Sequence, residues 1–266
     1  MKRKAIAVLL AFILAVVVLP SAVLADSSAV YVSAEGSDEN SGMSAAEPVA
    51  TLAKAAEIVN NGENGDYTVY VMTDLISTAC ARFFDKNVTL TSYDGKVTVS
   101  RGEGFSTQSD PARGEYNPAM VEIQASQGEA SLTLTDIIFD DCGRHEGSVF
   151  SQAVSGEEKG DNTVYVQDAI IASNATYDCT ITLGSGAELR NFGGMSALRA
   201  TNKASVKMES GSVITDTTLT SRGKESSDKV SNGPAGAVWL QGGNLVTENG
   251  SEIKDLFGRA VYADGG

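Results

Sequence analysis

The sequence has 266 residues, with 34 acids against 20 bases, 27 glycines, 5 prolines, one histidine and an aromatic share of 6%. Such an acidic chain is a poor match for nucleic acid or an anionic membrane surface, and a single histidine excludes multi-histidine metal sites. The cysteines Cys80, Cys142 and Cys179 are odd in number and far from any zinc-binding spacing. One disulfide with a spare thiol fits, and so do unpaired cysteines stacked as small hydrophobes in a core.

Residues 1–25 form a secretory signal peptide: Lys2-Arg3-Lys4, an apolar run from Ala5 to Leu19, then Pro20 and the cleavable ending Val23-Leu24-Ala25. No second apolar run reaches membrane-spanning length, so the processed chain is expected to be secreted, with no membrane insertion after cleavage. Without the peptide's three basic residues the remainder has 34 acids and 17 bases, a formal charge of −17. That balance disfavours an unaided polyanion such as pectate as substrate.

Residues 26–66 are expected to close one end of the fold. A short strand at Val30-Tyr31-Val32 leads into the turn-rich Ser33–Met43. Pro48–Asn60 is expected to be a helix, because Val49, Leu52, Ala53, Ala56 and Val59 recur at helical spacing, Pro48 suits the first helical position and Asn61-Gly62 supplies a stop. Within this block Asp38-x-Asn40-x-Gly42 has the first half of a calcium loop. The matching position for the bidentate glutamate is Val49, and Asx turns account for the same residues without an ion. Asp38 and Asn40 are the only candidate calcium ligands, and no other cofactor is implied.

Residues 67–266 alternate short strands with turns. Strands are expected at Thr68–Met72, Asn87–Thr91, Lys96–Ser100, Met120–Ile123, Ser131–Thr135, Ile137–Phe139 and Thr163–Gln167. A polar excursion at Arg101–Asn117 and loops at Asp140–Gly147 and Ser155–Asn162 interrupt them. From residue 180 the chain repeats itself three times. Each copy has an alternating strand, a turn at Gly186, Gly211 or Gly250, an apolar spot at Leu189, Ile214 or Ile253, and a polar residue at Asn191, Asp216 or Asp255. A third short strand starts at Ala197-Leu198, Ala237-Val238 or Ala260-Val261. The turn glycines are 25 and then 39 residues apart, and the excess fits one insertion at about Thr217–Pro234. Units this short cannot bury an apolar face alone. They must stack, and short strands without helical spacing between them predict a β-solenoid of about seven to nine turns.

These repeats, the opening block YVSAEGSDENSG…EPVATLAKA and the passage VYVMTDL…DKNVTLTSYDGKVTVSRG resemble the right-handed parallel β-helix proteins of the pectate-lyase-like superfamily. More narrowly, they resemble repeat-bearing surface proteins of Gram-positive bacteria. The resemblance implies an all-β, right-handed parallel β-helix with an N-terminal capping helix. It also implies one of two activities, a polysaccharide-cleaving enzyme or an inert adhesin scaffold, and fold alone does not choose between them.

The sharpest catalytic pattern is Asp140-Asp141-Cys142-Gly143-Arg144-His145-Glu146. Paired carboxylates with a nearby histidine suit glycoside hydrolysis, in which one acid protonates the leaving group and another carboxylate activates water. The inverting polygalacturonases of this fold carry such a pair but place the histidine on a neighbouring turn. Here His145 is too close in sequence for that, and an adjacent Asp pair after a strand is ordinarily a turn or cap. A lyase needs clustered acids for calcium and an arginine base. Glu122 and Asp136 are scattered, and Arg101, Arg190 and Arg199 make no recognisable set. For binding, Arg199, Trp239 and Tyr262 hold the same place in three successive repeats. Strand alternation puts them outside, with Leu198, Val238 and Val261 inside, as a solvent-facing column able to stack on sugar rings. The triplets at Asn87, Asn174 and Asn249 match the glycosylation acceptor pattern by chance.

The expectation is therefore a secreted or cell-surface, adhesin-like scaffold that presents a side face to an extracellular glycan or protein without catalysis. The alternative is an extracellular glycoside hydrolase or polysaccharide lyase. The final strand runs to Gly265-Gly266 without a polar terminal repeat, so a longer protein is expected.

Overall fold

The computed structural model describes residues 28–63, 65–103, 105, 119–142, 169–192, 196–217, 236–256 and 259–264. The segment expected to be a signal peptide, His145, the strand expected at 163–167 and most of the excursions expected at 101–117 and 217–234 lie outside the described residues.

Among the described residues there is one helix and the rest is strands and turns, and every pairing between described strands is parallel. Strand β1 (Ala29–Val32) and helix α1 (Leu52–Asn61) open it. The chain then runs in circuits of three strands. The next circuit is β2 (Asp66–Val71), β3 (Leu75–Ser77) and β4 (Ala81–Phe84), followed by β5 (Asn87–Ser92), β6 (Val97–Arg101) and β7 (Val121–Ala125). After β8 (Ala130–Thr135) and β9 (Ile137–Asp140) comes the long β10 (Ala169–Leu183), which closes one circuit and begins another. β11 (Glu188–Phe192) leads to β12 (Ser196–Met208), which does the same. β13 (Val213–Thr217), β14 (Val238–Gln241), β15 (Leu245–Thr247), β16 (Glu252–Ile253) and β17 (Val261–Asp264) complete the order.

Like strands of successive circuits stack. Second strands form a six-stranded sheet, β3-β6-β9-β11-β13-β16. First and third strands join into one 11-stranded sheet because β10 and β12 run through both rows, with a register shift between Ala175 and Cys179. A parallel arrangement with one short helix is the class to which β-helical solenoids belong.

Alternation decides the core. In β8, Ala130, Leu132 and Leu134 are buried while Ser131, Thr133 and Thr135 are half-buried. Each inward residue stands on its counterpart in the next circuit. Val69, Leu90, Leu134, Leu183 and Met208 form one ladder, and Leu75, Val99, Phe139, Leu189 and Ile214 another. Their burial removes apolar area from water at about 25 cal/mol per Å².

The repeat spacing read from the sequence is the strand register: Leu189 pairs with Ile214, and Ile214 with Ile253. The turn glycines also stack, with Gly186 N donating to Gly211 O at 3.1 Å and Gly211 N to Gly250 O at 2.9 Å. All three have left-handed backbone, φ 74, 81 and 91. Asn191, Asp216 and Asp255 take φ 53, 56 and 53, the left-handed turn that Asn and Asp tolerate best among residues with a side chain.

The helix starts later than the sequence suggests. Pro48 is not its first residue. Val49 bridges β1 at Val32, and Thr51 is the N-cap, its hydroxyl accepting from Lys54 N at 3.1 Å. Val49, Leu52 and Val59 are buried, the inward set expected of a cap. α1 lies along β4 on the edge away from β7, where a strand of an earlier circuit would stand. Asn60 completes the substitution: its Nδ2 donates to Arg82 O at 2.8 Å and its Oδ1 accepts from Phe84 N at 3.0 Å.

Three strands escape the sequence reading or differ from it. β3 and β4 are too short to register as strands, and β10 begins at Ala169, ahead of the repeat start. All three cysteines are free. Cys179 is buried, Cys80 half-buried and Cys142 exposed, so neither a disulfide nor an inward cysteine stack forms. No helix among the described residues is long and apolar enough to cross a membrane.

Candidate functional site

The corner between second and third strands is where the chain departs from a minimal circuit. The link is tight at 78–80, 193–195 and 254–260, and long at 102–120, 141–168 and 218–237. Insertions that gather on one side of a stacked repeat mark the side on which function is built.

Arg101 and Asp141 stand at the roots of the first two long links and form a buried ion pair. Arg101 Nη2 also donates to Ala169 O at 2.9 Å, where the second link returns to β10, and its guanidinium lies 4.4 Å from the Phe105 ring centroid. Asp140 serves a different arginine. It accepts from Arg190 Nε at 2.8 Å, Asn191 Nδ2 at 3.0 Å and Cys142 N at 2.8 Å. Burial works to raise the Asp140 pKa, but the hydrogen bonds from Asn191, Arg190 and Cys142 outweigh it and hold the carboxyl below its ordinary value. A general acid needs the opposite displacement. Asp140 and Asp141, taken from the sequence with His145 as the hydrolase alternative, thus each neutralise an arginine. His145 lies outside the described residues.

The third strands bring Arg199, Trp239 and Tyr262 into register, as their repeat positions imply. The column continues beyond them: Arg82 pairs with Glu122, Glu122 with Ala172 and Ala172 with Arg199. Beside it runs a second outward column, Phe84, Gln124, Asn174, Thr201 and Gln241. Leu198 and Val238 point inward and are fully buried. Val261 is 40% exposed, because no described circuit stands upon it.

The column is not open to solvent as expected, however. Arg199 is 6% exposed and Trp239 7%. Every residue of β7 is buried, on both sides of the sheet. Ala172 joins Ala119 and Ala169 in a small apolar cluster apart from the main core. Strand alternation fixes which side a residue takes, and says nothing of what covers that side. Exposure returns at the ends, at Arg82, Phe84 and Tyr262, and along Asn174, Thr201 and Gln241, all half-buried. Arg259 lies over Tyr262, 5.1 Å from its centroid. Among the described residues the buried Trp239 indole nitrogen has no hydrogen-bond partner, an uncommon state for a buried indole.

An aromatic cluster went unnoticed in the sequence. Tyr31 stacks on Tyr70 at 5.3 Å and 23°, and Tyr93 meets both edge-on at 5.6 and 5.7 Å. Tyr93 is 48% exposed. Its signal was the repeated tripeptide Val30-Tyr31-Val32 and Val69-Tyr70-Val71, whose residues pair one to one. Next to it on the same outer face Thr68, Thr89, Thr133 and Thr182 stand in register.

Asp38 and Asn40 hold the opening loop against α1. Asp38 Oδ1 accepts from Ala50 N at 2.9 Å and Thr51 N at 3.0 Å, Asp38 Oδ2 accepts from the Thr51 hydroxyl at 2.9 Å, and Asn40 Nδ2 donates to Pro48 O at 2.8 Å. Both carboxylate oxygens accept from protein donors, so Asp38 and Asn40 clasp the loop to the helix, the Asx-turn role the sequence also allowed. Among the described residues no group of three or more His, Cys, Asp or Glu side chains could hold a metal ion. Comparison with family models, with characterised proteins and with solved structures finds no match to this chain.

Proposed function

We propose that this chain is a secreted, right-handed parallel β-helix that acts as a non-catalytic, adhesin-like surface scaffold and binds extracellular glycan on the side that carries its long links. One observation carries the reading: two outward columns in strict register, rich in arginine, amide, hydroxyl and aromatic groups, lie beside the corner from which those links leave. Neighbouring strands lie about 4.8 Å apart, so a chain of sugars running along the columns meets an equivalent group at each step. Asn174, Thr201, Gln241 and Tyr262 form the accessible strip, and Trp239 lies buried in the neighbouring column. The signal-peptide pattern at Lys2–Ala25 supports secretion. The depressed Asp140 carboxyl and its arginine partner weigh against the hydrolase.

The test is a binding and turnover screen of residues 26–266 on a glycan panel, with Gln241→Ala and Tyr262→Ala beside the wild type. Binding without turnover, weakened about tenfold or more in both variants, is the expected result. Product release that disappears in Asp140→Asn would make the protein a hydrolase instead. Binding to a protein-coated surface and to no glycan would move the ligand to the protein class.

A further inference from the structure

We infer, resting on the glycan reading above, that the ligand is an extended, uncharged chain linked equatorially through positions 1 and 4, with one sugar to each circuit. Ala172 pairs with Arg199 and Ala175 with Asn202, so Asn174 stands on Thr201, and Thr201 pairs with Gln241. Tyr262 stands on Trp239, one column across and one circuit on. Asn174, Thr201, Gln241 and Tyr262 are half-buried and belong to four successive circuits, on β10, β12, β14 and β17. Neighbouring strands lie about 4.8 Å apart. A pyranose with equatorial bonds at both linkage positions advances its chain by roughly that step, whereas α-1,4- and β-1,3-linked glucans coil and advance far less per sugar. Only the extended chain keeps pace with the circuits.

The order of the groups favours the same linkage. Asn174 and Gln241 bear carboxamides, and Thr201 between them bears a hydroxyl. Successive sugars of such a chain are turned over, so the same edge faces the strip at every second sugar, and the two carboxamides stand two circuits apart. Thr201 donates its hydroxyl proton to Ser173 O at 2.6 Å. Toward a ligand it therefore only accepts, and it requires a sugar hydroxyl that donates. Charge completes the selection, since none of these three side chains is charged. In the neighbouring column Arg82 is balanced by buried Glu122 at 3.0 Å, Arg199 is 6% exposed, and the Arg259 guanidinium lies over the Tyr262 ring. A uronate carboxylate laid along the amides and hydroxyl would lose water without gaining a counter-charge.

The probes are hexaoses titrated calorimetrically into residues 26–266. Cellohexaose and β-1,4-mannohexaose are extended and neutral, maltohexaose and laminarihexaose coil, and hexagalacturonate is extended and charged. At least one of the first two should bind about tenfold or more tightly than each of the other three. Within its series, affinity should rise with every sugar up to four and change little beyond, because the half-buried strip spans four circuits. Thr201→Val keeps the shape of the side chain but not its acceptor, and should weaken the preferred hexaose about tenfold, the worth of one such bond. Thr201→Ser should restore it. The length series uses the wild type alone, so it decides the matter even where Thr201→Val melts early. Preference for a coiled or charged hexaose, affinity that keeps rising past four sugars, or full binding by a folded Thr201→Val overturns the inference and leaves glycan binding intact. Binding to no glycan overturns both.

Discussion

Arg101 and Asp141 meet in a buried ion pair across one corner of the fold, tying the root of one long link to that of the next. Removing one partner of such a pair leaves an uncompensated charge in a low dielectric, at a cost of about 3–5 kcal/mol. Arg101→Met and Asp141→Leu should each lower stability by that order in urea titration. The double variant should lose clearly less than the two single losses added together, because it buries no lone charge. Additive losses would mean that the two side chains act independently.

Asp85 offers a pH signature. It sits in a left-handed turn at φ 52, and its Oδ1 accepts from Ser126 N at 2.6 Å and Gln127 N at 2.9 Å while Oδ2 accepts from the Ser126 hydroxyl at 3.1 Å. Burial works to raise its pKa, but the donors of Gln127, Ser126 and Gly128 prevail and keep the carboxyl below its ordinary value. A folded-state pKa below the unfolded one contributes stability that is present above about pH 4 and lost as pH falls further. Asp140 carries the same sign. Asp85→Asn keeps the turn conformation, which asparagine tolerates, but removes the charge. It should cost about 1–2 kcal/mol at pH 7 and flatten the acid limb of a stability–pH curve. An acid limb identical to wild type would show that Asp85 contributes none of it.

The circuits were legible in the sequence because inward positions repeat: Leu189, Ile214 and Ile253 are the same residue of the same turn, and their spacing is the register. The polar residues that follow them were legible as turn formers for the same reason. β4 was not, because Ala-Arg-Phe-Phe is short and its partner β7 lies across a long link. The cover over Trp239 was not legible either. A strand's alternation reports two sides, and only tertiary packing says whether the outer one meets water. Asp38 and Asp140 show the converse limit. Their carboxylates looked available in one dimension and are taken up by Thr51 and Arg190 in three.

Gly243 is where the fold tolerates least. Its φ is +77, and a Cβ there would lie 1.9 Å from Ala204 O, a backbone atom with no freedom to yield. It turns the chain from β14 into β15. Gly243→Ala combines a left-handed backbone penalty with a steric clash, and should cost at least about 1–3 kcal/mol. Gly95→Ala is the control, since its φ is +80 but a Cβ there meets nothing within 4 Å. Calorimetry should rank the loss at 243 well above that at 95. Equal losses would mean that backbone strain alone matters at both sites.

Asn60 tests whether the helix is a cap or only a neighbour. Its side chain stands in for a strand, giving Arg82 O a donor and Phe84 N an acceptor. Asn60→Leu keeps the bulk and removes both bonds. Leaving a partly buried backbone donor and acceptor unmatched costs about 1–3 kcal/mol, and an edge strand with free groups invites pairing with another chain. Asn60→Asp separates the two effects, because a carboxylate still accepts from Phe84 N but cannot donate to Arg82 O. The expected order of stability is therefore wild type, then Asp, then Leu, and sedimentation velocity should show concentration-dependent association that is strongest for Leu. Lys54→Ala, which breaks only the exposed pair with Glu57, should leave both readouts unchanged. If Asn60→Leu stays monomeric at wild-type stability, the edge of β4 is protected by the packing of Leu52, Ala55, Ala56 and Val59 alone.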